Sequence, residues 1–126
     1  MAGYSDVKAV TITADTVALD ADGISVAASV GNNAALTIGG ALASGGAVSL
    51  SHGRIVTILS AGNDAAISFT VTGTDVNGDS QTESITGANA GTATGTKFFK
   101  TISGISAVGN PAGNVSAGVN ASAADV

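Results

Sequence analysis

Short runs of alternating apolar and hydroxyl residues constrain the fold of this chain more than any other feature. The clearest run extends from residue 67 to residue 72, where Ile, Phe and Val alternate with Ser and Thr. This is the two-residue period of a β-strand that buries one face. A second run, Ser80 to Thr86, follows Asn77-Gly78, a pair that tolerates the positive φ of a type I′ turn. The pattern predicts a β-hairpin.

Similar runs along the rest of the chain predict an all-β protein. Gly, Asn and Asp mark turns between them, and no stretch has the sustained apolar spacing of a helix. Seven or eight short strands suit a single-domain antiparallel β-sandwich, jelly-roll-like, over residues 1–126. Besides the hairpin, the predicted strands are 10–14, 24–30, 54–59, 97–102 and 114–119, with further short strands possible at 34–38 and 47–50.

Two internal segments and the two ends are predicted to lie outside the strands. Residues 39–46, rich in Gly and Ala, are expected to be a flexible connection, and residues 87–95, rich in Gly, Ala, Asn and Thr, are expected to be a connecting loop. Residues 1–6 are interpreted as an N-terminal arm and residues 120–126 as a C-terminal tail. Such arms can order against a neighbouring subunit.

The apolar residues are too small to predict a thick core. The chain has 126 residues, enough for one domain, and 44% of them are hydrophobic, yet there are three Phe, one Tyr and no Trp. Burying an Ala contributes little, whereas burying Val, Leu, Ile or Phe contributes about 1.5–3 kcal/mol each. We therefore expect a homo-oligomer in which further apolar surface is buried between subunits.

Composition also argues against several classes of function. The net charge is −5 and the cations number four (Lys8, Arg54, Lys97 and Lys100), so no nucleic-acid partner is expected. There is no cysteine, which excludes disulfides and thiolate metal sites. No window of about 20 residues is uniformly apolar, so no membrane partner is expected. No signal-peptide pattern is visible, and we expect synthesis in a cytoplasm.

Asp75, Asn77 and Asp79 form the one weak calcium candidate. Their spacing matches the first three ligands of a calcium-binding loop, but Ser80 stands where that loop needs Gly, and Thr86 stands where it needs a bidentate Glu. Asn77-Gly78 is better explained by a turn. A solvated turn is therefore favoured, and no metal or other cofactor is expected.

Two further polar features have an ordinary explanation beside a functional one. Asp15, Asp20 and Asp22 could bind a cation or face a basic partner, but Asp22-Gly23 is a common turn pair, which favours an exposed loop. His52 is the only histidine and is most simply a loop residue. One histidine and no cysteine leave little material for acid–base or metal catalysis, so we do not expect an enzyme.

The segment Lys97-Phe98-Phe99-Lys100 supplies two candidates for a subunit interface. Aromatic residues flanked by cations could stack on single-stranded nucleic acid, but the acidic balance of the chain argues against this. In a strand, one of Phe98 and Phe99 faces the core and the other faces outward. The outward ring is the candidate for a subunit contact, because aromatic residues are enriched in interfaces.

Between Arg54 and Val119 the chain contains an ordered set of strand and turn motifs. In order, the motifs are IVTI at 55–58, SAGND at 60–64, FTVTGTD at 69–75, NG at 77–78, TESITG at 82–87, NAGT at 89–92, KFFKTI at 97–102 and AGNV at 112–115. This set covers a little over half of the chain and resembles small structural proteins that decorate or cement the capsids of tailed bacteriophages.

The resemblance implies a jelly-roll-like β-sandwich on the outer surface of a phage head. The implied partner is the major capsid protein, whose neighbouring subunits a dimer or trimer would bridge. It implies no catalytic residues. Two alternatives stay open: another virion component, such as a tail, neck or fibre module, and a carbohydrate- or calcium-binding β-sandwich of a surface adhesin.

Overall fold

A computed structural model describes residues 20–120, which form seven β-strands and no helix. Alternating β-branched and hydroxyl residues produce these strands, and Gly, Asn and Asp occupy the turns between them. In chain order the strands are β1 (Asp20–Ser29), β2 (Ala43–Ser44), β3 (Ala47–Ser60), β4 (Ser68–Thr74), β5 (Ser80–Thr86), β6 (Thr92–Val108) and β7 (Asn114–Val119).

All seven strands belong to one antiparallel sheet, in the order β1-β7-β3-β6-β4-β5, with β2 paired to the start of β3. The long strand β6 joins the two halves of this sheet. Its residues 92–102 pair with β3, and its residues 101–108 pair with β4. The prediction of an all-β single domain is confirmed. The jelly-roll arrangement is not confirmed by this strand order.

The sheet is curled, so that its two halves enclose one core. β5 forms no ladder with β6, yet Glu83 of β5 accepts hydrogen bonds from Thr96 N at 2.6 Å and Lys97 N at 3.3 Å. The side chain of Gln81 donates to Phe98 O at 2.6 Å. These bonds hold the β4–β5 hairpin over the first half of β6, giving the sandwich-like character that the sequence predicted.

Phe69 and Phe99 are the largest apolar side chains of the core, and both are fully buried. The rest of the core is mostly Ile, Val and Ala. Each strand from β3 to β7, and β1, contributes to the same cluster of buried residues. Because side chains from both halves of the sheet meet there, curling the sheet is what buries them.

The predicted hairpin is confirmed, but its turn is not type I′. β4 ends at Thr74 and β5 begins at Ser80, so the loop is longer than two residues. Gly78 has φ 87° and is the only residue of this loop with positive φ. The carboxylate of Asp75 explains the longer loop, because it accepts hydrogen bonds from the amides of Asn77 and Asp79.

Two other expectations are corrected by the strands. Residues 39–46 are not simply a flexible connection: they contain β2, which Gly45 (φ 64°) and Gly46 (φ 83°) join to β3 in a tight two-residue turn. The possible strand at residues 34–38 is reduced to one bridge between Ala35 and Ser106. Predicted strand 10–14, the arm 1–6 and the tail beyond Asn120 lie outside the described residues.

Candidate interaction surface

One outward face of the sheet consists mostly of serine and threonine side chains, with the exposed Val108 opposite Ser68 at one end. The outward residues of β4 are Ser68, Thr70, Thr72 and Thr74, and those of β5 are Ser80, Thr82, Ser84 and Thr86. The register places them directly opposite one another in four pairs. Thr101, Ser103 and Ser106 of β6 continue the array on the other side of β4. We call these eleven residues the hydroxyl face.

Hydrogen bonds tie β6 to β4 within the hydroxyl face. Thr74 Oγ1 and Thr101 Oγ1 are 2.6 Å apart, and Ser103 Oγ donates to Thr72 O at 3.2 Å. A groove of about 370 Å³ lies here, and six of its eight lining residues carry a hydroxyl. The sequence indicated the hydroxyl faces of β4 and β5. It did not show that residues 101–106 extend them.

None of the eleven residues of the hydroxyl face is charged, and the nearest cation is Lys97, whose Nζ donates to Thr82 O at 2.9 Å at the β5 edge of the face. Asp75 and Asp79 lie in the loop at its end, and Glu83 points to the opposite side of β5. A hydroxyl both donates and accepts hydrogen bonds, and Ser and Thr lose little side-chain entropy on contact. The face therefore suits a broad, partly hydrated contact with another protein surface.

Of the two aromatic interface candidates, the structure places only Phe98 at the surface. Phe98 is 41% exposed and lies opposite Ile55 of β3, whereas Phe99 is 0% exposed and belongs to the core. The expectation that one ring faces in and one faces out is confirmed. Phe99 is therefore corrected from an interface candidate to a core residue, and Phe98 stays the candidate for a subunit contact.

The calcium candidate is part of a turn. Asp75 Oδ1 lies 2.8 Å from Asn77 N and 3.0 Å from Asp79 N, so this oxygen serves the backbone of the loop. Within residues 20–120, no group of three or more His, Cys, Asp or Glu side chains is placed to hold a metal ion. The arrangement agrees with the interpretation of this segment as a turn.

The other polar candidates are not brought together. Asp20 and Asp22 belong to β1, where Asp20 Oδ1 accepts from Asp22 N at 3.4 Å, and Asp15 lies outside the described residues. His52 was expected to be a loop residue, but it lies within β3. It lies where the register with β6 shifts between Ser49 and Arg54.

Three buried charged side chains were not anticipated as structural residues. Arg54 donates through Nη2 to Asn120 O, and its burial lowers the pKa of the guanidinium. Asp64 is fully buried and accepts from Ala112 N at 2.7 Å. Glu83 is 9% exposed and binds the amides of β6. The burial of Glu83 could have been predicted from strand alternation, which places Glu83 on the same side of β5 as Ile85.

Comparison of the chain with protein-family models, with curated proteins and with solved structures finds no match. The part of the chain that the structure describes contains no helix long and apolar enough to cross a bilayer.

Proposed function

We propose that this protein is a structural component of a tailed-phage virion that decorates or cements the capsid. In this proposal it sits on the outer surface of the head and bridges neighbouring subunits of the major capsid protein, as a homo-oligomer and without catalytic activity. The observation that carries the proposal is the uncharged hydroxyl face of β4, β5 and β6, which is the docking surface.

Physical chemistry supports docking through such a face. Short, uncharged side chains bury without the large desolvation penalty of ions and without losing many rotamers. Hydrated hydroxyl contacts are individually modest, but many copies on one shell act together. The motifs between residues 54 and 119 that resemble capsid cement proteins give the proposal its particular partner.

Phe98 would serve a different contact. It lies on the outward side of the β3–β6 pair, and not on the hydroxyl face. An exposed aromatic ring opposite Ile55 suits contact between subunits of the decoration protein itself. The hydroxyl face would then remain available to the shell when the subunits associate.

The test is binding to heads of the encoding phage that were assembled without this protein. We expect saturable binding at a regular number of copies per capsomer, and a higher temperature of head disruption when the protein is bound. Failure to bind heads, or binding that leaves their heat resistance unchanged, would contradict the proposal. Binding to tails alone would assign the chain to another virion component.

A matched pair of variants tests the docking face. Thr72→Lys places a charge at the centre of the hydroxyl face, next to Gly104, and should lower the affinity for heads at least about tenfold. Thr92→Lys places the same charge at an exposed position of β6 opposite Leu59, away from this face, and should bind normally. Equal binding by both variants would exclude the hydroxyl face as the docking surface.

A further inference from the structure

Part of the outer edge of β1 is open among residues 20–120. β1 is an edge strand that pairs only with β7. The loop at residues 39–42 covers the first part of its other edge, because Gly39 N and Gly40 N donate to Ile24 O at 3.1 and 2.9 Å, and Leu42 N donates to Gly23 O at 2.8 Å. From Val26 to Ser29 no described residue forms such a bond. A bare strand edge is a template for another strand.

An apolar groove runs beside this open edge. It has a volume of about 260 Å³ and is lined by Val26, Ala27, Ala28, Thr37 and Gly39. Val26 is 54% exposed. At the opposite edge of the sheet, hydrogen bonds that involve the side chains of Gln81, Glu83 and Lys97 join β5 to β6. Residues 26–29 of β1, by contrast, include no charged residue and no proline that would discourage pairing with another strand.

The chain itself contains a segment whose pattern fits the groove. Residues 10–14 read Val-Thr-Ile-Thr-Ala, with Val10, Ile12 and Ala14 on one side of a strand and two Thr on the other. We propose that residues 10–14 of one copy add as a strand to the open edge of β1 in a second copy. The apolar side of the segment fills the groove, and its backbone pairs with residues 26–29.

Geometry favours a second copy over the same chain. A hairpin with residues 15–19 as its loop would place residues 10–14 beside residues 20–24. The 39–42 loop already occupies that position so closely that a Cβ on Gly40 would lie 2.3 Å from Asp22 O. That register is therefore blocked. Antiparallel pairing with residues 26–29 of the same chain would need the connection from residue 14 to residue 20 to run about 20 Å along β1 past this loop, which is the full reach of a stretched chain.

A parallel arrangement within one chain is too long for its connection. Residues 15–19 would have to return from the end of β1 to its beginning, and the ten residues of β1 span about 30 Å at ~3.3 Å per residue. The connection from residue 14 to residue 20 spans about 20 Å at most. A segment from a second copy meets neither obstacle.

The test measures the mass of the full chain by size exclusion with light scattering over a range of concentrations. We expect a multiple of the 11.9 kDa chain. Ile12→Lys and Val26→Lys should each raise the dissociation constant of the oligomer at least about tenfold. Two control variants should leave this constant unchanged: Thr13→Lys, which lies on the other side of the segment, and Val76→Lys, which replaces a comparably exposed valine (48%). The measurement involves no capsid. A monomer would remove the homo-oligomer from the proposed function, but it would leave the docking of the hydroxyl face on heads to the separate head-binding test.

A peptide provides the second measurement. A synthetic peptide of residues 8–16 should bind the Ile12→Lys chain and should dissociate the full-chain oligomer, whereas the same peptide with Lys for Ile12 should do neither. A full chain that is monomeric at every concentration overturns the proposal. An oligomer whose dissociation constant is changed neither by the two Lys variants nor by the peptide also overturns it. The same holds if Ile12→Lys lowers only the stability of the fold and leaves association unchanged.

Discussion

The carboxylate of Glu83 in β5 accepts a hydrogen bond from the amide of Thr96 in β6 at 2.6 Å, across two strands that share no ladder. Thr96 Oγ1 donates to the same oxygen at 3.0 Å. Thr96 lies where the β3–β6 register shifts, between the partners of Ile55 and Thr57. The carboxylate therefore satisfies a donor that the irregular ladder leaves free, and it holds the sheet in its curled form.

Replacing this carboxylate should loosen the curl. Glu83→Ala removes the acceptor for two amides and one hydroxyl, and we expect it to lower the free energy of unfolding by about 2 kcal/mol. Glu83→Gln keeps the length and one acceptor oxygen, and should lower it by about 1 kcal/mol. Urea unfolding followed by circular dichroism measures both. Equal stability of the three proteins would mean that packing alone holds the hairpin over β6.

The neighbouring rings of Phe98 and Phe99 should differ sharply in their contribution to stability. Phe99→Leu leaves a small defect in a fully buried site and should cost about 1 kcal/mol, and Phe99→Ala should cost about 3–5 kcal/mol. Phe98→Ala removes a ring that is 41% exposed and should cost less than about 1 kcal/mol in the separated subunit. Chemical unfolding at low protein concentration gives the comparison. A larger loss for Phe98→Ala would contradict the assignment of the two faces.

Two glycines of the β4–β6 pair give a matched test of its close packing. A Cβ on Gly73 would lie 1.9 Å from Thr101 O, so Gly73→Ala must displace β6 and should cost about 3 kcal/mol. A Cβ on Gly104 would meet no atom within 4 Å, so Gly104→Ala should be neutral or stabilising by up to about 1 kcal/mol. Thermal unfolding of the two variants measures this. Equal melting temperatures of the two variants would contradict the close approach of Gly73 to Thr101.

Local pattern was sufficient for residues 80–86, which alternate without interruption and were predicted with the bounds that the structure has. Residues 114–119 alternate only weakly, yet their predicted bounds also agree with the structure, where residues 115–119 are all buried. β6 was predicted only at residues 97–102, because Gly95 and Gly104 interrupt its pattern, yet the strand runs from Thr92 to Val108. Gly95 is explained by a distant contact, since a Cβ there would lie 2.7 Å from Glu83 Oε1. Such tertiary contacts leave no local signal.

The part of the hydroxyl face that lies on β4 and β5 was predictable from strand alternation. Alternation indicates that Thr70, Thr72 and Thr82 share the outward side of their strands. Which strand lies beside β4 depends on the curl of the sheet, so Thr101 and Ser103 could not be added from sequence. The type I′ turn that Asn77-Gly78 favours is not found, because Asp75 stabilises the longer loop at residues 75–79.

The Asp75 carboxylate should stabilise its loop whether or not calcium is present. Asp75→Ala removes the acceptor for Asn77 N and Asp79 N and should lower the free energy of unfolding by about 1 kcal/mol, equally in EDTA and in millimolar calcium. Asp79→Ala is the control, because Asp79 enters these bonds through its backbone and should change stability by less than about 0.5 kcal/mol. Melting temperatures of the unaltered chain should likewise not respond to calcium. A calcium-dependent rise that both substitutions abolish would instead establish a metal site at this turn.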